Sequence, residues 1–108
     1  MGTLIYAGGS TRVELSDREL AHLQFVITGK LRRREGFLLS VHDSDGTLHV
    51  VWLSASLPLD FAYSSPVLPP LNREWLEVLT VCAGHAGGLR LLPEPAEGAK
   101  DDALATAQ

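Results

Sequence analysis

The chain has 108 residues, of which 45% are hydrophobic and 20% are charged, and these values exclude wholesale disorder and a second core. The net charge of −4 excludes the strongly basic composition of dedicated nucleic-acid-binding domains. The single cysteine, Cys82, excludes an internal disulfide, and the N-terminus has no signal-peptide pattern. Since no apolar run is long enough to span a bilayer, we expect a cytoplasmic protein that does not enter the membrane.

The N-terminal third predicts a β-hairpin followed by a helix. Residues 3–7 are rich in β-forming side chains, and residues 11–15 alternate between polar and apolar. Ser16 and Glu19 have the spacing of a capping box, which marks the start of a helix. Gly36 is suited to end that helix. Its apolar side chains recur at helical spacing, at Leu20, Leu23, Ile27 and Leu31.

The middle of the chain predicts a second hairpin and a separate edge strand. Residues 37–43 and 47–53 are apolar runs on either side of Asp45-Gly46, a strong signal for a two-residue turn. A turn of that length places His42 opposite His49. Residues 59–64 follow as a further strand, and the prolines on both sides of it favour an edge position.

The C-terminal third predicts a second helix, a short strand and a tail. Asn72 is a good N-cap, and the helix is expected to end near Gly84. Residues 89–92 suit a last strand. From residue 93 the composition turns to Pro, Ala, Glu and Asp, so we expect a domain of residues 1–92 and a disordered acidic tail of residues 93–108.

The predicted order is therefore β-β-α-β-β-β-α-β. Hairpins separated by single helices are typical of the α+β class. We expect one mainly antiparallel sheet of about five to six strands, with both helices packed on one face. Trp52 and Trp75 are expected to pack in the core or between sheet and helix, the alternative being that either one anchors a partner surface.

Several segments of the chain resemble a known family. They include Met1-Gly2-Thr3-Leu4-Ile5-Tyr6, Leu71-Asn72-Arg73-Glu74-Trp75 and Gly87-Gly88-Leu89-Arg90-Leu91-Leu92-Pro93-Glu94-Pro95. On these residues the chain resembles a family of small actinobacterial proteins of unknown function, whose members often carry the name ATP-dependent DNA ligase. The resemblance covers roughly residues 1–95, and the central hairpin has a shorter turn than is usual in those relatives.

The residues do not support a ligase. A ligase of that type attacks ATP with a lysine in a Lys-x-Asp-Gly motif. The two lysines of this chain stand in Lys30-Leu31-Arg32-Arg33 and Lys100-Asp101-Asp102-Ala103. Neither matches the motif, so we do not expect ligase activity.

A basic cluster formed by Lys30, Arg32, Arg33 and Arg34 is the first candidate site. Four of the nine basic residues lie within residues 30–34, a pattern that suits the binding of phosphate groups or of an acidic protein partner. The alternative is a solvated helix C-terminus, where cations are favoured by the helix dipole. Single-strand binding would require aromatic residues among the cations, and the cluster contains none.

The histidines and the cysteine are weaker candidates. His42 with His49 lacks a third metal ligand, and Cys82 with His85 or His22 lacks an orienting group and an oxyanion hole. His22 lies near the edge of the buried face of the first helix, and we expect a packing residue with one satisfied nitrogen, the alternative being a ligand or a base. We therefore expect no catalytic residues, no metal and no cofactor.

These observations favour a non-enzymatic interaction module that associates with itself or with another protein. Its contact surfaces are expected at the edge strand 59–64 and at the apolar loop from Val67 to Leu71. A nucleic-acid-associated protein using the basic cluster is the alternative. A third alternative is an enzyme with a site assembled from scattered residues such as His22, Arg73 and Glu74.

Overall fold

The structure, a computed structural model, describes residues 1–96. Within these residues the elements follow the predicted order and confirm the α+β class. They are β1 (Gly2–Tyr6), β2 (Thr11–Leu15), α1 (Asp17–Arg32), β3 (Phe37–His42), β4 (Leu48–Leu53), β5 (Leu59–Ala62), α2 (Arg73–Ala83) and β6 (Leu89–Arg90). Neither helix is long and apolar enough to cross a membrane. Most of the predicted tail, residues 97–108, lies outside the described residues, so the domain boundary stays a prediction.

The strands form two three-stranded sheets, and the expectation of one larger sheet is wrong. The first sheet has the order β2-β1-β5, and the second has the order β4-β3-β6. All neighbours are antiparallel except β3 and β6, which are parallel. The local pattern shows that a segment is extended but not which strand it pairs with, because pairing depends on packing. The predicted edge position of β5 is confirmed.

Both helices begin at the predicted caps. The backbone N–H of Glu19 donates to the Ser16 hydroxyl at 3.1 Å, and the N–H of Ser16 donates to the Glu19 carboxylate at 3.0 Å. The Asn72 side chain accepts from the N–H of Glu74 at 3.1 Å. These bonds satisfy donors that the first turn of a helix leaves unpaired.

The turn between β3 and β4 is one residue longer than predicted. The N–H of Gly46 donates to the carbonyl of Asp43 at 2.9 Å, and the N–H of Asp43 donates to the carbonyl of Thr47 at 2.8 Å. Gly46 has φ = 90°, so it takes the left-handed position that follows a type I turn. The register therefore pairs His42 with Leu48, not with His49. Because a one-residue shift exchanges the faces of a strand, the predicted His42–His49 pair is wrong.

The two sheets share one core with the helices. The ring of Trp75 is buried in this core as predicted, whereas Trp52 is 62% exposed and does not contribute to it. Two hydrogen bonds also join the sheets. The N–H of Ser44 donates to the carbonyl of Glu14 at 3.1 Å, and the N–H of Ser54 donates to the hydroxyl of Tyr6 at 2.9 Å. Fully buried members of the core come from every layer, including Val13, Leu20, Ile27, Leu39, Leu53, Leu79 and Leu89.

The close approach of Gly88 to β3 makes a stability prediction. Gly88 has φ = 80°, and a Cβ at this position would lie 2.2 Å from the backbone oxygen of Leu38. We expect Gly88→Ala to lower the free energy of unfolding by at least about 2 kcal/mol, measured by urea denaturation. Gly87→Ala is the matched control, since a Cβ there meets no atom within 4 Å. Equal stabilities of the two variants would contradict the prediction.

Candidate functional site

A buried polar junction lies where the start of α2 meets α1. His22 is fully buried, and its Nδ1 lies 2.7 Å from the carbonyl oxygen of Arg18. Its Nε2 accepts from the backbone N–H of Asn72 at 2.8 Å, so Nδ1 carries the proton. The His22 ring also packs on Trp75, with centroids 4.4 Å apart. Both ring nitrogens are occupied, which fits the packing role predicted for His22 and leaves neither for a ligand.

Glu94 attaches the C-terminal segment to this junction. The Arg18 guanidinium donates to both of its carboxylate oxygens, at 2.8 and 2.5 Å, and the Asn72 amide donates to it at 2.9 Å. The Arg18 bonds, followed by the Asn72 bond, lower the pKa of Glu94 to about 2. Trp75 adds a bond from its indole N–H to the carbonyl of Leu92 at 2.9 Å. The segment after β6 is therefore held by charge-assisted bonds.

An apolar groove lies between α2 and this C-terminal segment. Its volume is about 560 Å³. Its lining includes apolar side chains and a polar rim: Val78, Val81, Cys82 and Leu92, with Glu74, Glu77, His85 and Arg90. Of the three residues suggested for a scattered enzyme site, only Glu74 lines this groove. His22 is enclosed in the junction, and Arg73 lies outside the lining.

Cys82 and His85 line the same groove but do not form a nucleophile pair. The thiol of Cys82 is buried and donates to the carbonyl oxygen of Gly88 at 3.5 Å. His85 is exposed. No hydrogen bond joins the two side chains in the part of the chain that the structure describes. Cys82 therefore acts as a packing residue of α2, as free cysteines often do.

His42 and His49 lie on opposite faces of their sheet. The Nε2 of His49 is 3.4 Å from the carboxylate of Asp43, and His42 is exposed on the other face. Among residues 1–96 no group of three or more His, Cys, Asp or Glu side chains is placed to hold a metal ion.

The basic cluster at the end of α1 is partly neutralised. Glu35 lies 3.3 Å from the ammonium of Lys30 and 3.4 Å from the guanidinium of Arg33. These two cations, Lys30 first, lower the pKa of Glu35. Arg32 and Arg34 are exposed, and Arg34 has a left-handed backbone with φ = 57°. Glu35 thus compensates part of the charge of the cluster, and the role of the cluster as a binding site stays a prediction.

An exposed aromatic side chain lies beside the cluster. Phe25 is 56% exposed and lines one shallow cavity with Arg32 and another with Lys30 and Arg33. The composition of the basic cluster did not indicate this ring, because Phe25 lies seven residues before Arg32 along the chain. On a helix that spacing is two turns, so it could have been found from the periodicity alone.

An apolar strip of exposed side chains lies on β4. Leu48, Val50 and Trp52 are 53%, 54% and 62% exposed, and they lie at alternate positions of a strand at the sheet edge. We call these three residues the β4 strip. The sequence did not predict this strip, because both alternating sets of residues 48–53 are largely apolar and their pattern does not show which set faces the core.

The predicted contact loop is also exposed. Val67 is 76% exposed, and Leu68 and Leu71 are about as exposed as the β4 strip. Leu68 and Leu71 line a small cavity of about 240 Å³ together with Phe25. This loop is therefore a second apolar surface, as its sequence indicated, and its role as a contact remains a prediction.

The structure is that of a small α+β domain with a buried polar junction and exposed apolar side chains. The chain belongs to a family described as a domain of unknown function (DUF7882), whose model matches residues 1–94. No curated protein and no solved structure matches the chain. The family match ends at Glu94, and two of the segments that carried the earlier resemblance, residues 71–75 and 87–95, meet at the buried junction.

The lowered pKa of Glu94 predicts a pH dependence of stability. A carboxylate with a depressed pKa stabilises the fold above its ordinary pKa of 4.5, and this contribution is lost as the pH falls towards about 2. We expect Glu94→Gln to be less stable than the unaltered chain at pH 7. The difference should shrink below pH 4.5 and vanish near pH 2, measured by urea denaturation across this range. A difference that is constant with pH would contradict the assigned ion pair.

Proposed function

We propose that this protein is a non-enzymatic interaction module of the cytoplasm that binds a second copy of itself through the β4 strip. The observation that carries the proposal is the strip itself. Single exposed apolar residues are common on protein surfaces, but Leu48, Val50 and Trp52 are neighbours on one face of one strand. Contiguous apolar patches on small proteins are typical of contact sites.

Chemistry favours a second copy as the occupant. The β4 strip has no charged side chain, so two copies can meet there without bringing like charges together. Tryptophan is among the residues most often found at the energetic centre of interfaces. The three side chains expose on the order of 300 Å², less than the roughly 800 Å² per partner of a stable complex. We therefore expect a reversible dimer that depends on protein concentration.

The mass of the particle tests this proposal directly. Light scattering or sedimentation over a concentration series should show the mass rise from 11.7 kDa towards twice that value. We expect Trp52→Lys to weaken the association at least about tenfold, because it removes the largest apolar side chain of the strip and adds charge repulsion.

Val67→Lys is the matched control, since it adds the same charge to the other apolar surface. Loss of association with Val67→Lys alone would place the contact on the loop instead. A mass that stays at 11.7 kDa at every concentration would overturn self-association through either surface.

Nucleic-acid binding is the second candidate, and the position of Phe25 favours it. An exposed aromatic ring beside Arg32 supplies the combination of stacking surface and cation that single strands bind. Glu35 counts against this candidate, because its carboxylate forms ion pairs with two of the four cations, Lys30 and Arg33. Any site would thus depend mainly on Arg32, Arg34 and Phe25.

Binding of labelled single- and double-stranded DNA at two salt concentrations tests this candidate. Were the site used, affinity would fall steeply with salt, and Arg32→Gln/Arg34→Gln would flatten the logarithmic salt slope by about 1 to 2. Arg12→Gln/Arg73→Gln is the control, because it removes the same charge from other exposed positions. Absence of binding even at low salt would eliminate this candidate.

A further inference from the structure

We infer that two copies join edge to edge, with β4 of one copy antiparallel to β4 of the other and a two-fold axis at Val50. This inference rests on the proposed self-association and adds its geometry. The β4-β3-β6 sheets of the two copies then form one continuous six-stranded sheet. The contact is isologous, since the same strand of each copy forms both halves of it.

The hydrogen-bond ladder between β3 and β4 shows which backbone groups are available. In an antiparallel pair, residues that exchange hydrogen bonds alternate with residues that do not. The bond from the Asp43 N–H to the Thr47 carbonyl sets this alternation, because it closes the hairpin next to the His42–Leu48 pair. Counting from there, the backbone groups of His49, Val51 and Leu53 point to β3. Those of Leu48, Val50 and Trp52 point away from it, towards the free edge.

Leu48, Val50 and Trp52 thus have exposed side chains and also backbone groups that point to the free edge of β4. A second β4 can bond to this edge only when its own outward-pointing residues lie opposite those of the first. This rule permits several registers. The register centred on Val50 is the one that places every member of the strip opposite another member, with Val50 facing Val50 and Leu48 facing Trp52 of the second copy.

The other strand edges in residues 1–96 are less suited to pairing. The outer edge of β2 is capped by the β3–β4 turn, since Ser44 and Asp43 bond to the backbone of Glu14. β5 has four residues, including the exposed Asp60, and β6 has two. Charged side chains and short lengths are the usual protection of strand edges against pairing, and β4 has neither.

Disulfide trapping tests the register. In a Cys82→Ala background, Val50→Cys should cross-link between copies at least about tenfold faster than Leu48→Cys, because facing Cα atoms about 5.5 Å apart suit a disulfide. In this register the two Leu48 positions lie about four residues apart along the strands, roughly 13 Å, too far for a disulfide. Folding of each variant is checked by circular dichroism.

A proline at position 50 tests the backbone bonds without any change at Cys82. Proline removes the N–H of residue 50, which points away from β3, so the β3–β4 ladder stays intact. Val50→Thr is the matched control, because it keeps the N–H and the β-branched shape. We expect Val50→Pro to weaken dimerisation at least about tenfold relative to Val50→Thr, with the melting temperature of each monomer measured in parallel.

The outcomes separate this inference from the proposal beneath it. Preferential Val50→Cys cross-linking together with the loss of association in Val50→Pro supports the two-fold edge contact. A concentration-dependent dimer in which Leu48→Cys cross-links as fast as Val50→Cys, or in which Val50→Pro associates like Val50→Thr, overturns the edge register and leaves self-association standing. A chain that remains a monomer throughout overturns both.

Discussion

The fold depends on the buried side chain of Asn72. Its amide oxygen caps α2, and its amide nitrogen donates to Glu94 and to the carbonyl of Pro95, each at 2.9 Å. Its backbone N–H meanwhile donates to His22 of α1. One residue therefore joins the two helices and the segment that follows β6. Removing its side chain would leave the first turn of α2 uncapped and the Glu94 carboxylate with one donor fewer, whereas the backbone hydrogen bond to His22 would remain.

This junction uses the hydrogen-bonding atoms of its buried polar side chains within the fold. Among the described residues, no buried side-chain nitrogen or oxygen lacks a hydrogen-bond partner. A catalytic group has to keep an atom available for its substrate, and the buried histidine has none left. The geometry of His22 and Asn72 therefore serves the packing of the two helices.

The charged end of α1 and the edges of strands β2 and β4 differ in how far neighbouring residues neutralise or cover them. The cations at the end of α1 are partly compensated by Glu35, and the edge of β2 is covered by the neighbouring turn. The β4 edge has neither protection and exposes large apolar side chains. A monomer with such an edge is prone to uncontrolled pairing, whereas a two-fold contact satisfies the edge and ends the assembly at two copies.

The local signals of the sequence determined the elements of this protein but not their arrangement. Ser16, Glu19 and Asn72 mark helix starts because capping is a contact within one turn, and the α+β class follows from the order of the elements. The β3–β4 register escaped prediction, because Asp45-Gly46 fits both a two-residue turn and a longer turn with Gly46 in the left-handed region. The split into two sheets, the enclosure of His22 and the exposure of Trp52 were decided by tertiary structure alone. Each depends on contacts between residues distant in sequence, and a strand that is apolar on both faces carries no local mark of which face the core will cover.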